Sequence, residues 1–198
     1  MSLGMPNISM QDAIEYGANF FYVLSTFFVS RNSLHTWWTG IISCSLFIVT
    51  FYHARLYADV SLQCFYIGTC IYGWWHWKNG DPSKKQLPIT HIQLKYFFLM
   101  LICAALVAIG YGSLLFYFTN ASYPFWDSAI LTLAICGQFL VMKRKFENWY
   151  IWLVVDTLSI PLYFIKDLKL TALLYCGLLI LGIYGYFTWK KELKNQNI

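Results

Sequence analysis

Seven apolar runs, near 12–30, 35–53, 57–77, 94–118, 124–142, 149–165 and 169–189, take up most of the 198 residues. Each is close to the ~20 residues a helix needs to cross a hydrocarbon core. Lipid offers no partner for a backbone N–H or C=O, so such runs must close their hydrogen bonds within helices. Only 12% of the residues are charged, against about 25% in soluble domains. The pattern predicts an all-α, polytopic membrane protein in a single membrane domain. It excludes a disordered tail, a nucleic-acid-binding domain and an ordinary cytosolic enzyme.

Turn-like stretches mark the cuts: Arg31-Asn32-Ser33, Asn79-Gly80-Asp81-Pro82-Ser83 and Thr119-Asn120-Ala121-Ser122. The segment 78–93 is the one plausible linker. Eleven of the 14 Lys and Arg residues follow odd-numbered runs or lie in the C-terminal tail; only Arg55, Lys166 and Lys169 fall on the other side. The positive-inside rule then places the N-terminus outside and the C-terminus inside. Met1 to Gln11 carries no Lys or Arg, so the first run is expected to stay rather than be cleaved as a signal peptide. Six cysteines, Cys44, Cys64, Cys70, Cys103, Cys136 and Cys176, lie within apolar runs without a CxxC pair. They read as packing residues, with neither disulfide nor metal expected.

An ungapped offset of 112 residues sets Ile71-Tyr72-Gly73-Trp74-Trp75-His76-Trp77-Lys78 on Ile183-Tyr184-Gly185-Tyr186-Phe187-Thr188-Trp189-Lys190. It also pairs Glu15 with Asp127, Arg31 with Lys143, Trp37 with Trp149 and Cys64 with Cys176. Chance likeness between aromatic-rich helices is the bland reading, but one offset matches motifs in all three helices. The expected plan is 12–77 as a first triple-helix repeat, 94–118 as a linker helix and 124–189 as a second repeat. An odd linker keeps the repeats parallel, an arrangement of transporters that hold substrate near the midplane.

Asp156 is the one ionisable residue deep in a run, about 10 Å from its inner end at 1.5 Å per residue. A carboxylate there is costly and marks a functional site by default; the plain alternative is a protonated or capping Asp. Trp149, Trp152, Ser159 and Tyr163 share its helical face. Pro161 removes the hydrogen bond to the Thr157 carbonyl nearby. The third run offers a similar face of Gln63, Tyr66, Cys70, Trp74 and Trp77, although Trp74 and Trp77 also suit interfacial anchors. Asp12, Glu15, Asp59, Asp127 and Asp167 fall outside, and Asp81, Glu147 and Glu192 inside. A mildly negative outer mouth would concentrate a cation, which aromatic faces and Asp156 would then hold. No phosphate-binding glycine loop, GxSxG, HExxH or paired-His pattern is present. His35, His53, His76 and His91 sit at run ends, where solvated rings are expected. A retinal receptor would need a mid-membrane lysine in the last run, and Lys169 and Lys190 lie only at its ends.

Tyr72-Gly73-Trp74 with Trp77 and Gln63, Pro124-Phe125-Trp126-Asp127-Ser128, and Glu147-Asn148-Trp149-x-x-Trp152-x-x-x-Asp156 resemble three motifs of the PnuC vitamin transporters of bacterial inner membranes. The resemblance implies a full-length SWEET-like 3+1+3 fold, a homotrimer, and facilitated diffusion of an unphosphorylated vitamin trapped by a cytosolic kinase. It implies Gln63, Trp149, Trp152 and Asp156 as binding residues. Cys70 stands where a small polar residue or Asn is expected, and Asp156 replaces the Asn of some members. With the face neighbours, the expected site is Gln63, Tyr66, Cys70, Trp74, Asp127, Trp149, Trp152, Asp156, Ser159 and Tyr163, with no cofactor or metal. Nicotinamide riboside is the expected cargo and thiamine the close alternative, both carrying a ring cation; riboflavin is the family's third substrate. A membrane-embedded enzyme using Asp156 or Asp127, and a non-transporting scaffold, are the remote alternatives.

Overall fold

The computed structural model describes residues 10–53, 55, 57–80 and 87–196. The expected linker therefore lies partly outside the described residues, as do Asp81, Lys84, Lys85 and most of the N-terminal segment. Among the described residues the chain forms seven helices and no strand: α1 (Met10–Ser30), α2 (His35–His53), α3 (Tyr57–Asn79), α4 (Leu94–Phe118), α5 (Pro124–Met142), α6 (Asn148–Ile165) and α7 (Lys169–Gln196). Each covers one apolar run. The largest departure is α7, which continues about two turns past residue 189. Lys190, Lys191, Glu192 and Lys194 are good helix formers, so the ladder persists after the apolar run ends. By length and composition α4, α5, α6 and α7 are apolar enough to cross a membrane. α1 and α3 carry acids in their first turns, which lowers their apolarity.

Neighbours in sequence pack together, α1 with α2, α2 with α3, α4 with α5, α5 with α6 and α6 with α7. Two further contacts join the chain's halves, α1 with α7 and α3 with α5. Large side chains of α4, including Phe98, Ile102, Leu106 and Ile109, face outward, as expected of a helix bathed in lipid.

The turns follow the 112-residue offset closely. Four non-glycine residues have positive φ: Asn32 (55°), Arg55 (59°), Arg144 (51°) and Asp167 (59°). Asn32 pairs with Arg144 at that offset, and Arg55 with Asp167. At the α1–α2 turn Asn32 N donates to Val29 O (2.9 Å) and Ser33 N to Phe28 O (2.9 Å). At the α5–α6 turn Arg144 N donates to Val141 O (2.9 Å) and Lys145 N to Leu140 O (2.9 Å). One left-handed residue ends each helix with its last carbonyls satisfied.

At the basic end lies a layer of four buried tryptophans. Trp37 meets Trp77 edge to face (5.1 Å), Trp77 meets Trp189 (5.8 Å), and Trp189 meets Trp149 (5.5 Å). Glycine makes room: a Cβ on Gly73 would stand 2.3 Å from the Trp37 ring, and one on Gly185 2.2 Å from the Trp149 ring. Trp77 Nε1 donates to Val141 O (2.9 Å), and Trp189 Nε1 to Val29 O (2.8 Å). Arg144, also buried, donates to Asn32 Oδ1 (2.8 Å) and to the Leu87 carbonyl, with its guanidinium 4.6 Å from the Trp77 ring centroid. Burial lowers its pKa from 12.5 to about 10, against the opposing pull of Glu192, so it stays cationic near neutral pH.

The segment entering α4 is stapled to the same end. Thr90 and Lys145 form an isolated parallel bridge, and Glu147 accepts from Ile92 N (3.0 Å) while facing His91 Nδ1 at 2.7 Å. His91 is thus held by a carboxylate rather than simply solvated. His35 likewise has a partner, with Nδ1 accepting from Trp38 Nε1 at 2.7 Å.

Candidate functional site

Asp156 occupies the middle of α6 and is 4% exposed. None of the ion pairs among the described residues includes it. Its facing surface on α7 is Gly182, where an added Cβ would lie 3.7 Å from Asp156 Oδ2. Tyr22 of α1 and Tyr175 of α7 are close enough to Asp156 to interact electrostatically, and Tyr66 and Tyr163 belong to the same set through Tyr22. Tyr163 and Tyr175 stack with centroids 5.2 Å apart and planes at 17°. Side chains of α1 and α7 therefore come to the α6 carboxylate, with Tyr66 of α3 one step removed through Tyr22.

Ser159, one turn on, is fully buried, and its hydroxyl has no hydrogen-bond partner among the described residues. Tyr175 is near enough to act on it but is not in bonding geometry. A buried carboxylate and a buried orphan hydroxyl on one helical face each cost free energy. A ligand carrying positive charge and hydrogen-bonding groups would satisfy both.

Trp152, one turn before Asp156, is half-buried and reaches both apolar clusters of the interior. A Cβ on Gly137 of α5 would lie 3.0 Å from its Cε2, so that glycine sets how deep the indole sits. At the same 112-residue offset Trp152 corresponds to Gly40, Asp156 to Cys44 and Gly182 to Cys70. Cys70 Sγ lies 3.1 Å from where a Gly40 Cβ would be. A glycine thus lies at the α2–α3 contact, Gly40 beside Cys70, and another at α6–α7, Gly182 beside Leu153 and Asp156, and only the second carries a charge.

Other expected residues are placed apart from this set. Trp149 is 1% exposed and belongs to the tryptophan layer at the basic end. Cys70 is buried beside the same layer. Trp74 is 40% exposed on the perimeter of α3. Asp127 is held by Lys166 through both oxygens, at 2.8 and 2.7 Å. That pairing neutralises part of the expected negative mouth. Gln63 is half-buried on α3, and the described contacts do not bring it to Asp156. Pro161 leaves α6 unbroken, and Trp126 Nε1 donates to the Leu158 carbonyl (3.2 Å), one residue beyond the carbonyl expected to be freed.

Three residues here escaped sequence reasoning. Tyr22 and Tyr175 carry no signal among 15 tyrosines. Gln138 of α5 donates to Thr69 Oγ1 of α3 (3.0 Å) and so ties the halves together; an amide within an apolar run was the clue available for it. Among the described residues no group of His, Cys, Asp or Glu could hold a metal, and the six cysteines are free.

The chain is similar to known proteins over nearly its whole length. The profile of the family described as nicotinamide mononucleotide transporter matches residues 12–191. The nicotinamide riboside transporter PnuC of Escherichia coli (strain K12) is 22% identical over 185 residues, covering 81% of this chain and 77% of its own. PnuC of Neisseria mucosa is 23% identical over 186 residues, covering 88% and 71%. The riboflavin/roseoflavin transporter RibM of Streptomyces davaonensis is 23% identical over 162 residues, covering 80% and 76%. A crystal structure of the vitamin B3 transporter PnuC shares the fold, with a TM-score of 0.73 at 22% identity over 92% of this chain and 83% of that one. The all-helical fold, the apolar spans and the match over residues 12–191 agree: this chain is a multi-pass membrane protein that belongs to the nicotinamide mononucleotide transporter family.

Proposed function

We propose that the protein takes up nicotinamide riboside across the bacterial inner membrane by facilitated diffusion. The observation that carries this reading is Asp156, a buried carboxylate with no cationic side chain paired to it, ringed by tyrosines and followed by the orphan Ser159 hydroxyl. A ring cation supplies the missing charge, aromatic faces attract it, and its hydroxyl groups give Ser159 a partner; Gln63, apart from Asp156 in this structure, is kept in the proposed site on the resemblance alone. Trp152 is the stacking surface; Tyr22, Tyr66, Tyr163 and Tyr175 form the cage. Trp149 and Cys70 form the floor on the basic side. Asp127 and Trp74, ion-paired and outward-facing, are left out of the site.

The family's description names the mononucleotide, whereas the PnuC relatives are named for the riboside. The residues favour the riboside. Lys95 and Lys169 stand only at the ends of their runs and no other Lys or Arg lies within one, so a phosphate dianion would meet Asp156 with no compensating cation at its depth. A cytosolic kinase then traps what has entered. Thiamine, also cationic, is the second reading. Riboflavin is neutral and leaves Asp156 unmatched, although the RibM likeness keeps that cargo in view.

The arrangement that fits this function is two parallel triple-helix repeats, 12–77 and 124–189, around α4 as linker, with the N-terminus outside and the C-terminus inside. The recurring turns and the reciprocal tryptophan bonds support the repeat, and the basic-residue bias supports the orientation. A homotrimer is the assembly proposed, from the resemblance alone.

Titration of intrinsic tryptophan fluorescence tests the cargo. Saturable quenching by nicotinamide riboside, with none by the mononucleotide or riboflavin, is the expected result. Quenching by the mononucleotide at equal affinity would overturn the charge argument.

A further inference from the structure

We infer that the tryptophan layer is the gate over the exit at the basic end, with Trp77 and Trp189 as its latches and Trp37 and Trp149 as parts carried rigidly by their own halves. The inference rests on the transporter reading only in assuming that the halves move against one another. The distinction comes from which contacts cross between the halves. Trp77 belongs to the first half and donates to Val141 of the second; Trp189 belongs to the second and donates to Val29 of the first. Each half therefore gives one indole bond and receives one. Arg144 adds a third crossing bond, to Asn32.

The other two rings make no such link. Trp37 is seated on Gly73 and Trp149 on Gly185, each within its own half, so separation of the halves leaves both seats intact. Their indole N–H groups are buried and have no partner among the described residues. Unsatisfied donors destabilise the closed layer; the two latching bonds and Arg144 hold it shut, with Lys143 Nζ to the Tyr72 hydroxyl and Gln138 Nε2 to Thr69 Oγ1 as further bonds between the halves.

The latch bonds can be removed cleanly. Val141 O also accepts from Arg144 N, and Val29 O from Asn32 N. Replacing a latching Trp by Phe keeps an aromatic ring and leaves no carbonyl orphaned. Loss of one such bond is worth about fivefold in the open-to-closed ratio.

The reporter is native Cys70, buried in the same cluster as Trp37 and Trp77, in a background where the other five cysteines are Ala. Inside-out vesicles expose the basic end to a membrane-impermeant maleimide. Trp77→Phe and Trp189→Phe are each expected to speed Cys70 alkylation from this side about fivefold, and the double variant by more. Trp37→Phe, which touches no crossing bond and removes an unsatisfied donor, is expected to leave the rate unchanged or slow it. Equal rates in the parent and both latch variants would overturn the inference, as would acceleration by Trp37→Phe or acceleration seen only from the opposite face. The assay needs no substrate, so a failure to bind nicotinamide riboside would sink the proposed cargo and leave the gate result standing.

Discussion

In the proposed function Asp156 is the residue on which recognition turns, and its position is readable from the sequence because a carboxylate within an apolar run is conspicuous. Its surroundings are not. Tyr22 and Tyr175 look like any aromatic in a membrane helix, and only packing brings them to Asp156. Residue spacing gives the faces of a helix but not which face turns inward, and α3 turns Trp74 outward. Asp156→Asn keeps the size of the side chain and one acceptor oxygen, turns the other into a donor and removes the charge. A hydrogen bond to a charged group contributes about 1.5–3 kcal/mol. The variant should weaken nicotinamide riboside roughly 10- to 100-fold in a fluorescence titration while leaving thermal unfolding close to the parent's. Unchanged affinity would move the cation site elsewhere.

The elements are bounded as the apolar runs predict, but the way they close on one another depends on small details at the turns. Asn32 and Asp167 both hold φ near 55–59°, a region glycine occupies at least cost. Asp167 is exposed and makes only a solvated contact with Lys169 at 3.2 Å, so Asp167→Gly should raise stability by up to about 1 kcal/mol. Asn32→Gly gains the same backbone ease but loses the bond from Arg144, and should lower the melting temperature in detergent. That opposite sign is the check. Gly185→Ala meets the Trp149 ring at 2.2 Å, and overpacking of this kind costs about 1–3 kcal/mol; Gly177→Ala, inside α7 with nothing within 4 Å, should not destabilise and gains up to about 1 kcal/mol of helix propensity. The role of Arg144 was hidden in sequence. A basic residue in a turn reads as a topology signal, and nothing local tells that this one is buried on an aromatic ring.

Across the whole molecule, the halves meet through α1 with α7 and α3 with α5. The cross-half bonds of the gate, and that of Lys143 Nζ to the Tyr72 hydroxyl (2.6 Å), lie toward the basic end. Such an arrangement closes one exit while the Asp156 set lies deeper in the bundle. The 112-residue offset was visible in the chain because the gate needs the same Gly and Trp in both halves. The binding face was less visible because there the halves differ, Asp156 against Cys44 and Trp152 against Gly40. The facilitated diffusion proposed above makes function at this scale passive, driven by the gradient of the vitamin itself.

Transport into empty proteoliposomes tests that claim most directly. Labelled nicotinamide riboside should enter unchanged until inside and outside concentrations match, at a rate indifferent to imposed proton or sodium gradients and lowered in Asp156→Asn when substrate is below saturation. Accumulation above the outside concentration, or chemical conversion during entry, would contradict the account.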